Sequence, residues 1–183
     1  VLPGGEILAS GELWSGSKGT VTVSRYRDDG SLDLSFGVKG SVALGPFSSG
    51  YTQPRLVTCP DGSSIVFVDE GVANNKAVGT LRRLRPDGSL DASYGTGGKV
   101  TTDFAGSTDQ ALAVAIQASG KVIAVGRAGN GATGNDFGLA RYNTLGALDP
   151  TFGNGGKVIT DFTSGDDRAF AVALQTNGRF CVA

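Results

Sequence analysis

Asp29-Gly30-Ser31-Leu32-Asp33 returns as Asp87-Gly88-Ser89-Leu90-Asp91, and once more as the decayed copy Leu145-Gly146-Ala147-Leu148-Asp149. The three copies are equally spaced, so the sequence has a constant period of 58. A second series of glycines keeps the same period, at Gly62, Gly120 and Gly178. Two separate series with one period indicate a repeat architecture, in which each unit is a supersecondary structure that packs on its neighbours.

Each unit is predicted to contain four short antiparallel strands. No segment has a convincing helical period, and turns rich in glycine separate the apolar segments. In the clearest unit the predicted strands are 109–117, 121–127, 137–143 and 157–162.

The first strand of that unit alternates small and large apolar residues, and 169–174 repeats the pattern. Alternation places every second side chain on the same face of a strand. We expect Ala111, Ala113 and Ala115 on one face, and Leu112, Val114 and Ile116 on the other. Both faces are apolar, so this strand should be covered on both sides.

Four-stranded units at this period predict an all-β fold, a β-propeller built from four-stranded antiparallel blades. We place the blades at approximately 1–44 (partial), 45–104, 105–162 and 163–183 (partial), within one propeller segment, 1–183. Propellers need about four to eight blades, so this chain of 183 residues is expected to hold an incomplete ring. A longer polypeptide, or association with copies of the same chain, would complete it.

Composition excludes several classes of function. The chain has no histidine, which excludes a Ser-His-Asp triad and imidazole metal ligands. Sixteen basic residues face seventeen acidic ones, and no basic face predicts nucleic-acid binding. No apolar run approaches the length of a membrane helix. Cys59 and Cys181 are expected to be buried free thiols.

The repeated motifs resemble the delta-60 repeat family of bacterial β-propeller proteins. The resemblance rests on motifs that recur in a fixed order: Ala111 to Lys121, Leu139-Ala140-Arg141-Tyr142, Leu148-Asp149-Pro150-Thr151-Phe152-Gly153, Gly155-Gly156-Lys157-Val158 and Asp161-Phe162. It implies a secreted or cell-surface bacterial protein, and it carries no activity over to particular residues.

One unit departs from this pattern. Gln53-Pro54-Arg55-Leu56-Val57 stands where the alternating alanine strand is expected, and its proline and arginine weaken the prediction of a first strand there. Arg83-Leu84 likewise replaces Arg141-Tyr142.

Four kinds of residue recur at the period and are interpreted as structural positions. We expect the arginines and aspartates to form an ion pair within each blade, the glycines to form tight turns, and Asp103 and Asp161 to be turn or capping groups. The structural positions are Arg25, Arg83, Arg141, Asp33, Asp91, Asp149, Gly30, Gly88, Gly146, Phe36, Tyr94 and Phe152.

Two ligand sites are weaker alternatives. Asp28, Asp29 and Asp33 offer oxygen ligands at short spacing, but the EF-hand pattern is absent, so we expect a tight turn and no cofactor rather than a Ca²⁺ site. Trp14 is the candidate for a sugar site. Three tyrosines would join it there: Tyr26, Tyr51 and Tyr94.

The leading functional hypothesis is a non-catalytic binding or scaffold propeller, and not an enzyme. Exposed loops at Ala128 to Asp136 and Val72 to Lys76 would contact a protein or glycan partner. One alternative is a carbohydrate-binding, lectin-like propeller. Another is an arc of a larger propeller enzyme whose site lies in blades outside these residues.

Overall fold

A computed structural model of the chain describes residues 2, 4–15, 18–47, 54–72, 76–104, 108–129, 134–162 and 165–183. Within them the chain forms strands and no helix, so no described helix could cross a membrane. The strands are β1 (Ile7–Ser15), β2 (Lys18–Tyr26), β3 (Ser41–Phe47), β4 (Arg55–Thr58), β5 (Ser64–Val72), β6 (Lys76–Leu84), β7 (Lys99–Thr102), β8 (Gln110–Ile116), β9 (Val122–Gly129), β10 (Asn135–Tyr142), β11 (Lys157–Thr160), β12 (Val172–Leu174) and β13 (Phe180–Val182).

The strands form four antiparallel sheets in chain order, which we call blades one to four. Blade one is β1-β2-β3, blade two is β4-β5-β6-β7, blade three is β8-β9-β10-β11 and blade four is β12-β13. The predicted all-β propeller fold is confirmed, and the ring is not closed. The predicted blade boundaries stay an interpretation of the repeat. β3 ends at Phe47, past the boundary placed at residue 44.

Apolar side chains fill each space between neighbouring blades. Val21 and Val23 of blade one pack with Val66 and Val68 of blade two. The other two interfaces are similar. Between blades two and three the packed residues are Ile65, Phe67, Tyr94, Val122, Ala124 and Tyr142. Between blades three and four they are Ile123, Val125, Leu139, Ala169, Val172 and Phe180. The period-2 alternation thus sends one side of a strand to each neighbouring blade, which explains why the second strands are apolar throughout.

The expected faces of the first strand in blade three are wrong, because β8 contains a bulge. Ala111 pairs with Gly126 and Ala113 pairs with Val125, which leaves Leu112 unpaired. The extra residue reverses the alternation. Ala111 therefore packs toward blade two with Val114 and Ile116, whereas Ala113 packs toward blade four.

The doubtful first strand of blade two does form, as β4, after Pro54. It is shorter than β8, and Arg55 is accommodated because its Nε donates a hydrogen bond of 2.7 Å to the carbonyl oxygen of Leu112. The arginine thus satisfies the carbonyl group of the bulged residue in the next blade.

Two further expectations need correction. Ala128 and Asp136 are not loop residues but a paired, buried couple of β9 and β10, and 130–133 lie outside the described residues. Val72 and Lys76 likewise pair, and 73–75 lie outside the described residues.

The two thiols are free as expected, but they are not fully buried. Cys59 is half-buried and Cys181 is exposed. Cys181 is exposed because the outer side of β13 contacts no described blade.

The turn glycines have a packing role between blades. Gly88 has a φ of 87°, and a Cβ there would lie 2.8 Å from the backbone nitrogen of Gly37 in blade one. Gly30 occupies the same turn position with a φ of 81°, and a Cβ there would meet nothing within 4 Å. A side chain would strain the backbone at both glycines, but it would crowd the neighbouring blade only at Gly88. Comparing substitutions at the two positions therefore distinguishes the two effects on stability.

We expect Gly88→Ala to lower the free energy of unfolding more than Gly30→Ala. Positive φ costs an alanine about 1–2 kcal/mol at either site, and crowding adds about 1–3 kcal/mol at Gly88 alone. Urea denaturation of the two variants measures the difference. Equal losses would contradict the close approach of the blades at this turn.

Candidate functional site

The two ends of the blades differ in their chain connections. Because the strands of a blade are antiparallel and adjacent in order, the connections from first to second and from third to fourth strand lie at one end, which we call the turn face. The connections from second to third strand, and from the fourth strand to the next blade, lie at the opposite end, which we call the loop face. Blade one has no described counterpart of the first strand, so β1, β2 and β3 count as its second, third and fourth strands.

An arginine, an aspartate and an aromatic ring meet on the turn face of blade one. Nε of Arg25 donates to Oδ2 of Asp33 at 2.7 Å, and the guanidinium group lies 4.9 Å from the ring centroid of Phe36. The other oxygen, Oδ1, accepts hydrogen bonds from the backbone N–H and the hydroxyl of Ser35. Both carboxylate oxygens are therefore used within the turn.

Blade three repeats this arrangement. Nε of Arg141 lies 2.8 Å from Oδ2 of Asp149, and its guanidinium lies 4.7 Å from the ring centroid of Phe152. Nζ of Lys121 adds a second contact of 2.8 Å to the same Oδ2, so this carboxylate has two cationic partners.

Blade two keeps the residue types but changes the pairing. Nη2 of Arg83 contacts Oδ2 of Asp61 at 2.5 Å, whereas its Nε lies 3.6 Å from Asp91. Arg85 compensates with a contact of 3.4 Å to Asp91, and Arg83 lies 5.9 Å from the ring centroid of Tyr94. The basic run at 82–85 therefore contributes to ion pairs within the blade.

The same arginines also bind the next blade. Nη1 of Arg25 donates to the carbonyl oxygen of Pro86 at 2.5 Å, and Nη1 of Arg83 donates to that of Thr144 at 3.1 Å. Each bond spans 61 residues. Two backbone bonds of 2.8 Å run beside them, Gly37 N–H to Asp87 and Gly95 N–H to Leu145. These contacts assign Arg25 and Arg83 a role in holding neighbouring blades together.

The calcium alternative falls on this turn face. Oδ1 of Asp29 accepts the backbone N–H of Ser31 at 2.8 Å, and both oxygens of Asp33 accept hydrogen bonds. These are the contacts of an Asx turn. The expectation of a tight turn and no cofactor, rather than a Ca²⁺ site, at Asp28, Asp29 and Asp33 stays a prediction.

The described aromatic residues of the sugar alternative do not converge. Trp14 is 45% exposed, donates its indole N–H to Glu12 and pairs with Gly19. Tyr26 lies at the other end of the same strand pair, opposite Ile7, which is roughly 20 Å away at the rise of a β-strand. Tyr94 is buried, and Tyr51 lies outside the described residues.

The loop face brings together carboxylates that are distant in sequence. Oxygen atoms of Asp136, Asp161 and Asp167 lie within 4.8 Å of one another, and Asp136 is 1% exposed. Such oxygens are the ligands that a divalent cation takes. This group was not predicted from the sequence, because the neighbouring unit has no aspartate at the position of Asp136.

Asp109 and Asp167 are a recurrent pair that the sequence analysis also missed. Oδ2 of Asp109 accepts the backbone N–H of Phe104 at 2.8 Å, and Oδ2 of Asp167 accepts that of Phe162 at 2.9 Å. Both pairs recur at the period of the repeat, and that spacing was the available signal. Burial raises the pKa of the Asp109 carboxyl.

On the turn face the pKa values of the Asp33 and Asp149 carboxyl groups are lowered. The Ser35 hydroxyl and backbone N–H, followed by Arg25, lower the pKa of Asp33 from 3.8 to about 2. Lys121 first, and then Thr151, lower the pKa of Asp149. A carboxylate with a lowered pKa stabilises the folded state above its unfolded pKa, and this contribution is lost as the pH falls through the folded pKa.

We expect the urea midpoint of the wild-type chain to fall between about pH 4 and pH 2, and to fall less in Asp33→Asn, which has no proton to bind there. Ser35→Ala should move part of the fall to higher pH, because it removes the largest cause of the lowered pKa. Parallel pH profiles for the three proteins would contradict this role of Asp33.

Comparisons with known proteins agree with the architecture. The family model described as "Domain of unknown function (DUF5122) beta-propeller" matches residues 3–36, 59–94 and 117–152. The fold is similar to a solved structure titled "Crystal structure of glucose dehydrogenase", with a TM-score of 0.55 and 12% identity. That match covers 95% of this chain and 59% of the dehydrogenase chain, so it shows the fold alone. No curated protein matches the sequence. Since the three matched segments together make up more than half of the chain, it belongs to this family of β-propeller domains of unknown function.

Proposed function

We propose that the chain is a rigid, non-catalytic arc of a β-propeller that binds a partner through its loop face. We also propose that it is of the delta-60 type and belongs to a secreted or cell-surface bacterial protein. The repeated motifs from Ala111 to Phe162 support that assignment.

The contrast between the two blade ends is the observation that carries the proposal. On the turn face the same residue types recur and tie blade to blade. On the loop face the connections differ in length and composition: Gly16-Ser17, Ala73-Asn74-Asn75 and Asn130-Gly131-Ala132-Thr133-Gly134. A rigid frame that carries variable loops is the usual construction of a binding protein.

Charge suggests the chemistry of the partner. Among the described residues, the loop-face connections that flank blade three carry more acidic than basic side chains, although the whole chain has a net charge of only −1. An acidic surface favours a partner with complementary positive charge. The acidic residues of these connections are Asp103, Asp109, Asp161, Asp166 and Asp167, and the basic one is Arg168.

A lysine-rich octapeptide, labelled with a fluorophore, tests this surface by fluorescence anisotropy. We expect saturable binding that weakens several-fold in the double variant Asp161→Asn/Asp166→Asn. The matched control is Asp28→Asn/Asp87→Asn, which removes the same charge from the turn face. Binding that is absent, or equally weakened by both double variants, would contradict the loop-face proposal.

An enzyme arc is the second candidate, and the observation that favours it is the fold similarity to a glucose dehydrogenase. The test is an assay of the full-length protein with glucose and a redox dye as electron acceptor. Dye reduction that depends on glucose would contradict a non-catalytic role. We expect none.

Among the described residues a lectin-like function rests on Trp14, because Tyr26 and Tyr94 do not converge with it. It predicts glycan binding on an array that Trp14→Ala abolishes. We expect the wild-type protein to give a blank array, and saturable binding that depends on Trp14 would replace our proposal.

A further inference from the structure

A cleft of about 260 Å³ lies between blades two and three on the turn face, away from the loop face. Its floor is formed by buried side chains, Ile65, Tyr94 and Val122. Its rim carries the exposed residues Asp61 and Ser119. The cleft is thus open to solvent and narrows onto an apolar floor.

The repeat shows why this interface has a cleft. Gln117 of blade three donates from Nε2 to the carbonyl oxygen of Gly178 in blade four, at 3.0 Å. Gln175 stands at the same repeat position in the next unit, whereas blade two has Cys59 there. Gly120 is the counterpart of Gly178. The amide group that bridges blades three and four therefore has no counterpart between blades two and three.

Tyr94, which lines the floor of the cleft, carries a buried polar atom without a hydrogen-bond partner among the described residues. Tyr94 is 2% exposed, and its hydroxyl has no hydrogen-bond partner among the described residues. The equivalent residues are Phe36 and Phe152, so packing at this position does not need a hydroxyl. A buried hydroxyl without a partner is costly, which indicates that a molecule in the cleft completes its hydrogen bonding.

The lining favours an uncharged molecule. The Arg83 guanidinium donates hydrogen bonds to Ser63, Thr144 and Asp61. The Asp61 carboxylate already balances its positive charge, so an anion in the cleft would meet no net positive charge. A charged group placed against the apolar floor formed by Ile65 and Val122 would lose part of its hydration.

We propose that this cleft binds a small uncharged molecule that carries a primary carboxamide. Its NH₂ group donates to the carbonyl oxygen of Gly120, as Gln117 does to Gly178 in the next interface. Its carbonyl oxygen accepts the hydrogen bond of the Tyr94 hydroxyl. The Cys59 side chain leaves the space that a glutamine would fill. The site is independent of the loop face, so the two proposals succeed or fail separately.

Propionamide is the probe, and its binding to the full chain is measured by thermal shift and by NMR titration. We expect a saturable effect that N,N-dimethylpropionamide, which cannot donate, does not produce. Tyr94→Phe and Cys59→Gln should each abolish it. Both variants install the residue that other units carry at that position, so both are expected to fold.

A transplanted site gives the sharpest control. Gln117→Cys alone should open a cleft with Phe152 at its floor and bind no propionamide, whereas Gln117→Cys/Phe152→Tyr should bind it. An effect that does not saturate, equal effects of the two amides, or binding that survives Tyr94→Phe would overturn the proposal. In those cases water alone would satisfy the Tyr94 hydroxyl.

Discussion

One guanidinium group in each of the first two blades holds both its own blade and the neighbouring one. Arg25 binds Asp33 through Nε and Pro86 of the next blade through Nη1. A guanidinium presents five donors in a fixed planar fork, so the position of one blade's turn determines where the next blade can lie. A lysine, with its single nitrogen, could not make both contacts in this geometry.

This constraint separates the two ends of the molecule. Residues on the turn face are held by contacts both within a blade and across to the next, which explains why the motif around Asp33 and Asp91 recurs almost unchanged. The loop-face connections join strands whose positions are already set by the packed cores between blades. They are therefore free to differ from unit to unit, and the acidic character of this end is a property of the connections rather than of the frame.

The repeat allowed the fold to be predicted, because its constant period specifies strand order and unit size without any knowledge of packing. It could not show the bulge at Leu112. The alternation of residue types assumes that every residue of the strand pairs, whereas Leu112 is left out of the pairing with β9. It could not show the group of Asp136, Asp161 and Asp167 either, because those residues are brought together by strand pairing and by the crossing to the next blade.

The cleft proposed to bind propionamide was only partly visible in the sequence. Its signal was present in the sequence, as Cys59 where the two following units have glutamine and as Tyr94 where the units on either side have phenylalanine. Departures from a repeat became informative only when the structure showed that both departures face the same space. Within a repeat protein, positions that break the period together are therefore candidates for function.

Native-state hydrogen exchange of two glycine amides shows whether the blades open together or one at a time. The N–H groups of Gly37 and Gly95 donate to carbonyl oxygens of the following blade. If the hydrogen bonds between blades hold the blades together, both amides will exchange as slowly as strand amides such as that of Val66. The hydrogen bonds of the two glycines would then break only when the blades separate. Fast exchange of both glycine amides while Val66 remains protected would show that the blades move independently. It would contradict the role of the turn-face contacts in holding neighbouring blades together.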